Sequence, residues 1–240
     1  MKHIVSFSGG KDSTAMLLMM IEKGMPIDDI IFCDTGVEFP AMYDHINQVE
    51  KYIGRKVTIL HGEHDFEFYL LNYEPKRKNK NWVGIKGYSF PSMQQRWCTA
   101  YLKRDVFKRY LKKYKGEEIK RYIGIAYDEP KRIKDKCYPL YDWQITEKQA
   151  LEYCYSKGFT WGGLYKHFNR VSCWCCPLKG INELRKLRKF YPDLWDKLKD
   201  WQTKTTRKFT PNASVFDLEE RFAKEDRIEK LKAEIEIPLF

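Results

Sequence analysis

Long apolar runs are missing from this 240-residue sequence, and none approaches the ~18 residues that a membrane-spanning helix requires. The first residues, Met1 to His3, lead straight into a predicted strand, so we expect no secretory signal peptide. The seven cysteines are odd in number, which argues against a disulfide framework. We therefore expect a cytoplasmic protein without a membrane partner, whose thiols serve metal binding or chemistry.

Acidic residues are fewer than basic residues: the chain has 33 Asp and Glu and 44 Lys and Arg, which gives a formal net charge of +11. Aromatic residues make up 15% of the chain. Basic and aromatic side chains together are typical of proteins that bind nucleic acid through phosphate contacts and base stacking. The alternative is a lysine-rich solvated surface around an aromatic core, in a protein that binds only small anions.

Two common phosphate-binding motifs are also missing, the Walker A loop and the dinucleotide motif G-x-G-x-x-G. Instead, an apolar run ends at Ser8 and Gly-Gly-Lys-Asp-Ser follows, before a predicted helix over 14–23 that Gly24 caps. A glycine turn between a strand and a helix favours an anion, because backbone N–H groups and the helix N-terminus point at it. The alternative is a glycine turn that only joins a strand to a helix.

The segment from Ser8 to Ser13 resembles the S-G-G-x-D-S loop of the adenine nucleotide α-hydrolase superfamily, whose members grip the β,γ-pyrophosphate of ATP. The resemblance implies that ATP binds with Mg²⁺ and that a substrate is adenylated with release of pyrophosphate. It also implies catalytic roles for Lys11 and Asp12. The loop residues expected to bind the nucleotide are Ser8, Gly9, Gly10, Lys11, Asp12 and Ser13.

A second apolar strand ends at Asp34. Ligands of doubly wound sheets bind at the carboxyl ends of strands, so we expect Asp34 to lie beside the loop and to hold Mg²⁺ or a nucleotide hydroxyl. The alternative is an aspartate that caps a turn or a helix. Residues 32–40 resemble the D-T-G-x-x-F-P-E segment of the phosphoadenosine phosphosulfate (PAPS) reductase family. With this segment the expected nucleotide-binding set gains Asp34, Thr35 and Gly36.

Two further segments resemble the same family. In R-W-C-T-A-Y-L-K, Cys98 precedes a predicted helix over 99–114, and its position near a helix N-terminus predicts a lowered thiol pKa. Cys98 is therefore a candidate nucleophile or metal ligand, with a buried structural thiol as the alternative. Residues 124–132 resemble the G-x-R-x-x-E-S-x-x-R segment, which adds Gly124 to the nucleotide-binding set and makes Glu129 and Arg132 candidates for substrate binding.

That last segment departs from the family pattern at two positions. Ala126 stands where the family has an arginine, and Pro130 stands where it has a serine. An arginine there is an expected anion ligand, so its absence argues against a sulfonucleotide substrate.

Three of four consecutive residues in Cys173-Trp174-Cys175-Cys176 are cysteines. Such spacing is a strong sign of a metal site, and thiols suit either a 4Fe-4S iron–sulfur cluster or zinc. Some members of the family carry a 4Fe-4S cluster, so the resemblance extends to the class of site. Alternatives are a redox disulfide and thiols without function. The predicted metal ligands are Cys98, Cys173, Cys175 and Cys176.

The order β-α-β-α-β up to residue 60 predicts an α/β fold with a parallel, doubly wound sheet. The resemblance implies that this sheet is of the adenine nucleotide α-hydrolase type. We expect a nucleotide-binding domain over 1–178 and a helical C-terminal extension over 179–240, which either packs on the core or mediates a homodimer. Thr146 and Gln149 predict a capping box at the start of a helix. We expect the segment that contains it to cover the site and to take no part in the chemistry. A basic run over 76–80 is a candidate phosphate contact or a solvated loop.

The loop retains both Lys11 and Asp12, whereas family members that act on sulfonucleotides have a degenerate loop without the lysine. The resemblance therefore favours an ATP pyrophosphatase-type adenylating enzyme that transfers sulfur to a tRNA, a DNA or a small acceptor, with a sulfur-donor protein as partner. Two alternatives stay open. One is a thiol-dependent PAPS or adenylylsulfate reductase, which the lack of any cysteine after Cys176 disfavours. The other is a nucleic-acid-binding subunit that senses ATP.

Overall fold

The computed structural model describes residues 1–76, 80 and 83–235. Most of the predicted basic run lies outside these residues, because 77–79 are not described. The described chain forms two compact units, of which the first holds residues 1–66 and 98–174 and the second holds 67–97 and the chain from 175 onward. The domain boundary expected after residue 178 stays a prediction.

A parallel sheet of four strands forms the centre of the first unit, in the order β3-β2-β1-β4. Its strands are β1 (Lys2–Ser6), β2 (Asp29–Asp34), β3 (Thr58–His61) and β4 (Ile119–Ile123). The chain moves outward from β1 to β2 and β3, and then returns to the other side of β1 with β4. The crevice beyond the carboxyl ends of β1 and β4 is therefore the topological switch point at which such sheets bind ligands. The predicted α/β class is confirmed.

Helix α1 (Lys11–Glu22) follows β1 and begins three residues earlier than the sequence predicts. Its end is as predicted: Gly24 has φ of 61°, its N–H donates to Ile21, and the N–H of Met25 donates to Met20. Helix α2 (Pro40–Ile53) begins at a proline and ends before a left-handed glycine. Both helices place their N-termini at the carboxyl edge of the sheet.

The predicted helix over 99–114 is a composite of four short segments. An α-helical turn (Trp97–Thr99) and a π-helical turn (Ala100–Arg104) precede α3 (Asp105–Leu111), and a 3-10 turn (Lys112–Tyr114) follows it. Phe107 of α3 packs on Ile4 and Ile31 of the sheet, so this composite covers one sheet face.

After β4 the chain forms a 3-10 turn (Pro130–Arg132), α4 (Pro139–Asp142), α5 (Glu147–Ser156) and a second 3-10 segment (Trp161–Lys166). The predicted capping box of α5 is confirmed, because the Thr146 side chain accepts from the N–H of Gln149 and the Gln149 side chain accepts from the N–H of Thr146. The box fixes where α5 begins, and α5 packs against α1.

The second unit contains a π-helical turn (Phe68–Asn72) and the helices α6 (Ile181–Phe190), α7 (Pro192–Lys204) and α8 (Val215–Ile235). Pro192 separates α6 from α7, because a proline cannot continue the preceding helix. Arg188 of α6 binds Glu219 of α8 at 3.0 Å, which joins the two helices. In the part of the chain that the structure describes, no helix is both long and apolar enough to span a membrane.

Candidate functional site

Two serines close the loop between β1 and α1. The Ser13 hydroxyl lies 2.9 Å from that of Ser8, accepts from the Ser8 N–H at 3.1 Å and lies 3.0 Å from the Gly10 carbonyl oxygen. Gly9 has φ of 73°, and a Cβ there would lie 2.8 Å from Met42. A Cβ on Gly124, at the end of β4, would lie 2.7 Å from the Ser13 backbone. The close approach of these strand ends therefore requires glycine on both sides of the loop.

Lys11, the first residue of α1, is nearly buried, with 7% of its side chain exposed. Its Nζ donates to Glu147 Oε2 at 2.7 Å and lies 3.4 Å from Asp12 Oδ2. Burial alone would raise the pKa of Glu147, but the hydrogen bond and charge of Lys11 outweigh it and leave that pKa lowered. The lysine expected to meet pyrophosphate thus has an internal carboxylate as its partner.

Asp12 has the opposite electrostatic character. Burial raises its pKa to about 6, against the attraction of Lys11 and with added repulsion from Glu147. Its Oδ1 atom is buried and has no hydrogen-bond partner. A buried carboxylate oxygen without a partner is costly, and a bound cation or donor would satisfy it.

An aromatic segment after α5 contacts the loop directly. The phenol oxygen of Tyr165 accepts from the Lys11 N–H at 2.7 Å, and Trp161 Nε1 donates to the Gly9 carbonyl at 2.7 Å. The Trp161 ring also stacks on His45 at 4.3 Å between centroids. Tyr165 therefore occupies a helix N-terminal N–H that is otherwise suited to an anion.

The turn after β2 uses its own polar groups. Asp34 Oδ1 accepts from the Gly36 N–H at 2.8 Å and from the Tyr43 hydroxyl at 2.9 Å. The Thr35 hydroxyl donates to Glu38 Oε1 at 2.9 Å. These contacts are those of a turn-capping aspartate, which is the alternative that the sequence leaves open. The expected nucleotide contacts of Asp34, Thr35 and Gly36 stay predictions.

A cavity of about 430 Å³ borders the loop on the face of the sheet that α3 covers. Ser8, Ser13 and Gly124 line it at the loop. Among the described residues, no Asp or Glu lines this cavity, whereas five cationic side chains do: Lys103, Arg104, Lys108, Arg121 and Arg132. The cavity is therefore suited to an anionic ligand that also contacts the loop.

The two candidate substrate-binding residues contact each other. Arg132 Nη1 donates to both carboxylate oxygens of Glu129, at 2.6 and 2.7 Å, and Arg170 donates to Glu129 at 2.5 Å. Arg170 also lies 3.7 Å from Glu147. A chain of alternating charges therefore runs from Lys11 through Glu147 and Arg170 to the candidate substrate residues.

All seven cysteines are free thiols. Within the first unit, Cys173 Sγ lies 3.5 Å from the Thr35 hydroxyl and 3.6 Å from Glu38 Oε1. Burial alone would lower the pKa of Lys103, but Cys173, Glu38, Cys33 and Cys98 interact with its charge and raise it. Two predicted ligands, Cys98 and Cys173, thus interact electrostatically with the same lysine.

The other two predicted ligands belong to the second unit, where Cys175 is fully buried and Cys176 is partly exposed. Across residues 1–76, 80 and 83–235, no group of three or more His, Cys, Asp or Glu side chains is arranged to hold a metal ion. Thiols suit an iron–sulfur cluster or zinc chemically, but a preformed ligand set is not seen among these residues. Both metal assignments stay predictions.

Sequence reasoning missed several residues around the loop. Glu147 lies in the capping-box segment, to which the sequence analysis assigns no chemistry. In the structure, however, Glu147 is the partner of Lys11. Tyr165 and Arg121 lie in no motif, and Lys103 ends the R-W-C-T-A-Y-L-K segment without a role assigned to it; only the fold brings the three to the loop or its cavity. A double glycine before Tyr165, at Gly162 and Gly163 with φ of 59° and 84°, is the one local sign of an unusual turn there.

Comparisons with known proteins agree with the loop and the sheet. A family model described as "Phosphoadenosine phosphosulfate reductase domain" matches residues 2–179. The chain is 27% identical over 216 residues to protein MJ0066 of Methanocaldococcus jannaschii, covering 81% of this chain and 40% of that protein. It is 33% identical over 150 residues to the nin region protein ORF290 of Escherichia phage lambda, covering 57% of this chain and 52% of that protein. The chain thus spans about half the length of these relatives or less.

Among solved structures, a PAPS reductase from Candida auris in complex with phosphate is similar at 17% identity and a TM-score of 0.43, covering 68% of this chain and 76% of that one. A likeness of this degree carries no argument about the site. The family model carries the assignment, because it matches well over half of the sequence and includes the loop, the cavity and all four cysteines of the predicted centre. The chain belongs to the PAPS reductase domain family.

Proposed function

We propose that the protein is an ATP pyrophosphatase-type enzyme that adenylates an acceptor and serves in sulfur transfer. The observation that carries the proposal is the intact loop, in which a nearly buried Lys11 at the start of α1 pairs with the carboxylate of Glu147 at 2.7 Å. The family assignment supports an enzyme acting on nucleotide or sulfur substrates. Seven free thiols fit the reducing compartment in which we expect it to work.

In the proposed reaction, the pyrophosphate of ATP binds the loop and replaces Glu147 as the anionic partner of Lys11. An acceptor oxygen attacks the α-phosphorus, the bond from that phosphorus to the bridging oxygen breaks, and pyrophosphate leaves. Lys11 and the N-terminus of α1 offset the charge that develops on the leaving group. Catalysis is mainly positioning and electrostatic stabilisation, as in other phosphoryl transfers.

Mg²⁺ fits this site through Asp12, whose buried Oδ1 atom lacks a partner. A carboxylate oxygen is a preferred ligand of Mg²⁺, which keeps several waters and binds phosphate oxygens as well. When bound, the ion would neutralise phosphate charge. Asp34 is the second candidate ligand, although its Oδ1 already accepts two hydrogen bonds.

The cysteines are the proposed sulfur-handling part of the enzyme. The electrostatic interaction of both Cys98 and Cys173 with Lys103 supports a common role for these two thiols. Whether they act with Cys175 and Cys176 on a 4Fe-4S cluster or on zinc is tested by measuring iron, acid-labile sulfide and zinc per chain after anaerobic purification. Iron with matching sulfide supports sulfur-transfer chemistry, and zinc alone makes the group a structural site.

Lys11→Ala tests the adenylation itself. We expect loss of ATP binding by calorimetry and of pyrophosphate release, with the thermal unfolding of the native protein retained. Lys51→Ala, at an exposed lysine of α2, is the matched control and keeps both activities. Pyrophosphate release by the Lys11 variant at the native rate would contradict the proposal.

The reductase function is the competing outcome of the same experiments. Sulfite release from PAPS or adenylylsulfate with thioredoxin as reductant, without ATP binding, would replace the adenylation proposal. A third outcome is tight ATP binding without turnover, which would indicate a nucleotide-sensing subunit.

A further inference from the structure

The helical segment that covers the sheet face carries an excess of positive charge. Residues 100–116 contain seven Lys and Arg but one acidic residue, Asp105. This segment alone therefore supplies more than half of the chain's net charge of +11. Such a concentration produces a local field rather than a uniformly basic surface.

Four of these cations form a row that we call the basic track, namely Arg104, Lys108, Lys112 and Lys115. They are spaced by four, four and three residues along consecutive turns: Arg104 ends the π-helical turn, Lys108 lies in α3, Lys112 begins the 3-10 turn and Lys115 follows it. All four are exposed. Arg104 pairs with Asp105 at 3.0 Å, whereas, in the described part of the chain, the other three have no carboxylate within ion-pair distance.

The basic track leads into the cavity beside the loop, because Arg104 and Lys108 line both. Inside the cavity, Arg121 of β4 is a second, independent sign of an anionic ligand. Its Nε donates to the Ser6 hydroxyl at 2.7 Å, and its guanidinium lies 3.9 Å from the centre of the Phe107 ring. Burial lowers its pKa, and no described carboxylate offsets its charge. An uncompensated guanidinium in a cavity favours an anion.

We propose that the basic track docks a single-stranded nucleic acid and directs one of its nucleotides into the cavity beside the loop. This inference rests on the proposed function, in which an acceptor meets ATP at that loop. A series of cations along these consecutive turns is complementary to the repeated phosphates of one strand. A cavity of about 430 Å³ admits a single unpaired nucleotide but not a duplex, and Arg121 with Lys103 offsets its phosphate.

Fluorescence anisotropy with labelled 20-nucleotide single-stranded RNA and DNA, without ATP, tests the docking over a range of KCl concentrations. Lys108→Glu/Lys112→Glu/Lys115→Glu is compared with Lys51→Glu/Lys186→Glu/Lys224→Glu, which makes the same change of net charge at exposed lysines elsewhere. We expect the track variant to bind at least about tenfold more weakly than the control variant. The negative slope of log K against log salt should become shallower by about 2, since each of the three lost phosphate contacts contributes ~0.7 to its magnitude.

Equal affinity of the two triple variants would overturn the proposal, because net charge alone would then explain binding. Competition by polyglutamate as effective as that by unlabelled oligonucleotide would also overturn it, in favour of an acidic protein partner. Arg121→Leu is the second variant, and it should weaken binding about fivefold with a slope change near 0.7. ATP binding is measured separately, on the native protein without oligonucleotide. A native protein that binds no ATP would count against the adenylation proposal and not against the docking of nucleic acid.

Discussion

Two aspartates at opposite ends of the same sheet are held in contrasting ways. Asp29, at the start of β2, accepts from Thr58 at 2.7 Å, Tyr110 at 2.6 Å, Lys113 at 3.0 Å and Tyr114 at 3.1 Å. Asp12, at the carboxyl end of the sheet, has one oxygen near Lys11 and one buried oxygen without a partner. Burial opposes ionisation of both, but the donors lower the pKa of Asp29, whereas the pKa of Asp12 rises to about 6.

The difference separates a structural carboxylate from one suited to a ligand. Donors around Asp29 come from β3, from α3 and from the 3-10 turn after α3, so its ionised form joins the sheet to the helical segment that covers it. Asp12 has only Lys11, at 3.4 Å, whose attraction does not outweigh burial, so its charged form is suited to a further cation or donor. The carboxylate of Asp29 is therefore satisfied by donors within the protein, whereas the carboxylate of Asp12, at the loop, keeps one oxygen for a ligand.

Asp12→Asn gives the largest expected effect. We expect pyrophosphate release from Mg-ATP to fall by ~10²–10³, the size of effect seen when one charge-stabilising group is removed from an active site. The unfolding free energy at pH 7 should not fall, because the amide removes a charge that burial disfavours. A variant with native turnover would show that Asp12 is as structural as Asp29.

Asp29→Ala should produce the reverse pattern. Four donors would lose their acceptor, which we expect to cost about 2–4 kcal/mol of unfolding free energy. ATP binding at the loop should be retained in the folded fraction. Urea unfolding measures the loss, with Asp44→Ala as the control at an exposed aspartate of α2. A loss no larger than that of the control would refute the structural role.

The two carboxylates should also differ in how stability depends on pH. The unfolded chain releases the Asp12 proton near 3.8, whereas the folded protein holds it to about 6. Between these values the folded state binds more protons, so this group makes the unfolding free energy fall as pH rises. The lowered pKa of Asp29 has the opposite sign, since its stabilisation is present above 3.8 and is lost as pH falls.

Urea unfolding of the native protein and of Asp12→Asn from pH 4 to pH 7 isolates the first contribution. The difference, native minus variant, should fall by at most ~3 kcal/mol over that range, because a shift of one pKa unit corresponds to 1.36 kcal/mol. A difference that stays constant would mean that the folded pKa of Asp12 is not raised. His45 does not confound the result, since both proteins contain it.

How much of this contrast was readable from the sequence depends on the range of the contacts involved. Residues 8–13, the parallel order of strands and the capping box follow from local patterns, and the structure agrees with them. Glu147 and Tyr165 were missed because they lie 136 and 154 residues from Lys11. The donors of Asp29 were missed for the same reason, since they lie 29 to 85 residues away. Periodicity and turn chemistry describe neighbours along the chain and cannot assign such partners.

The smallest expected effect concerns Tyr165, whose hydroxyl accepts a hydrogen bond from the backbone N–H of Lys11 in the loop. Its phenol occupies the Lys11 N–H, where the proposed pyrophosphate would bind, so the free protein has an internal competitor. Tyr165→Phe keeps the ring beside Trp161 and removes only the hydroxyl. One hydrogen bond contributes about 0.5–1.5 kcal/mol, so pyrophosphate should bind roughly 2- to 10-fold more tightly by calorimetry. Tyr52→Phe, at an exposed tyrosine, should leave the affinity unchanged. Weaker binding by the Tyr165 variant would instead mean that the phenol donates to the bound anion. The loop would then already contain a hydrogen-bond donor for its ligand, in contrast to the unpartnered oxygen of Asp12.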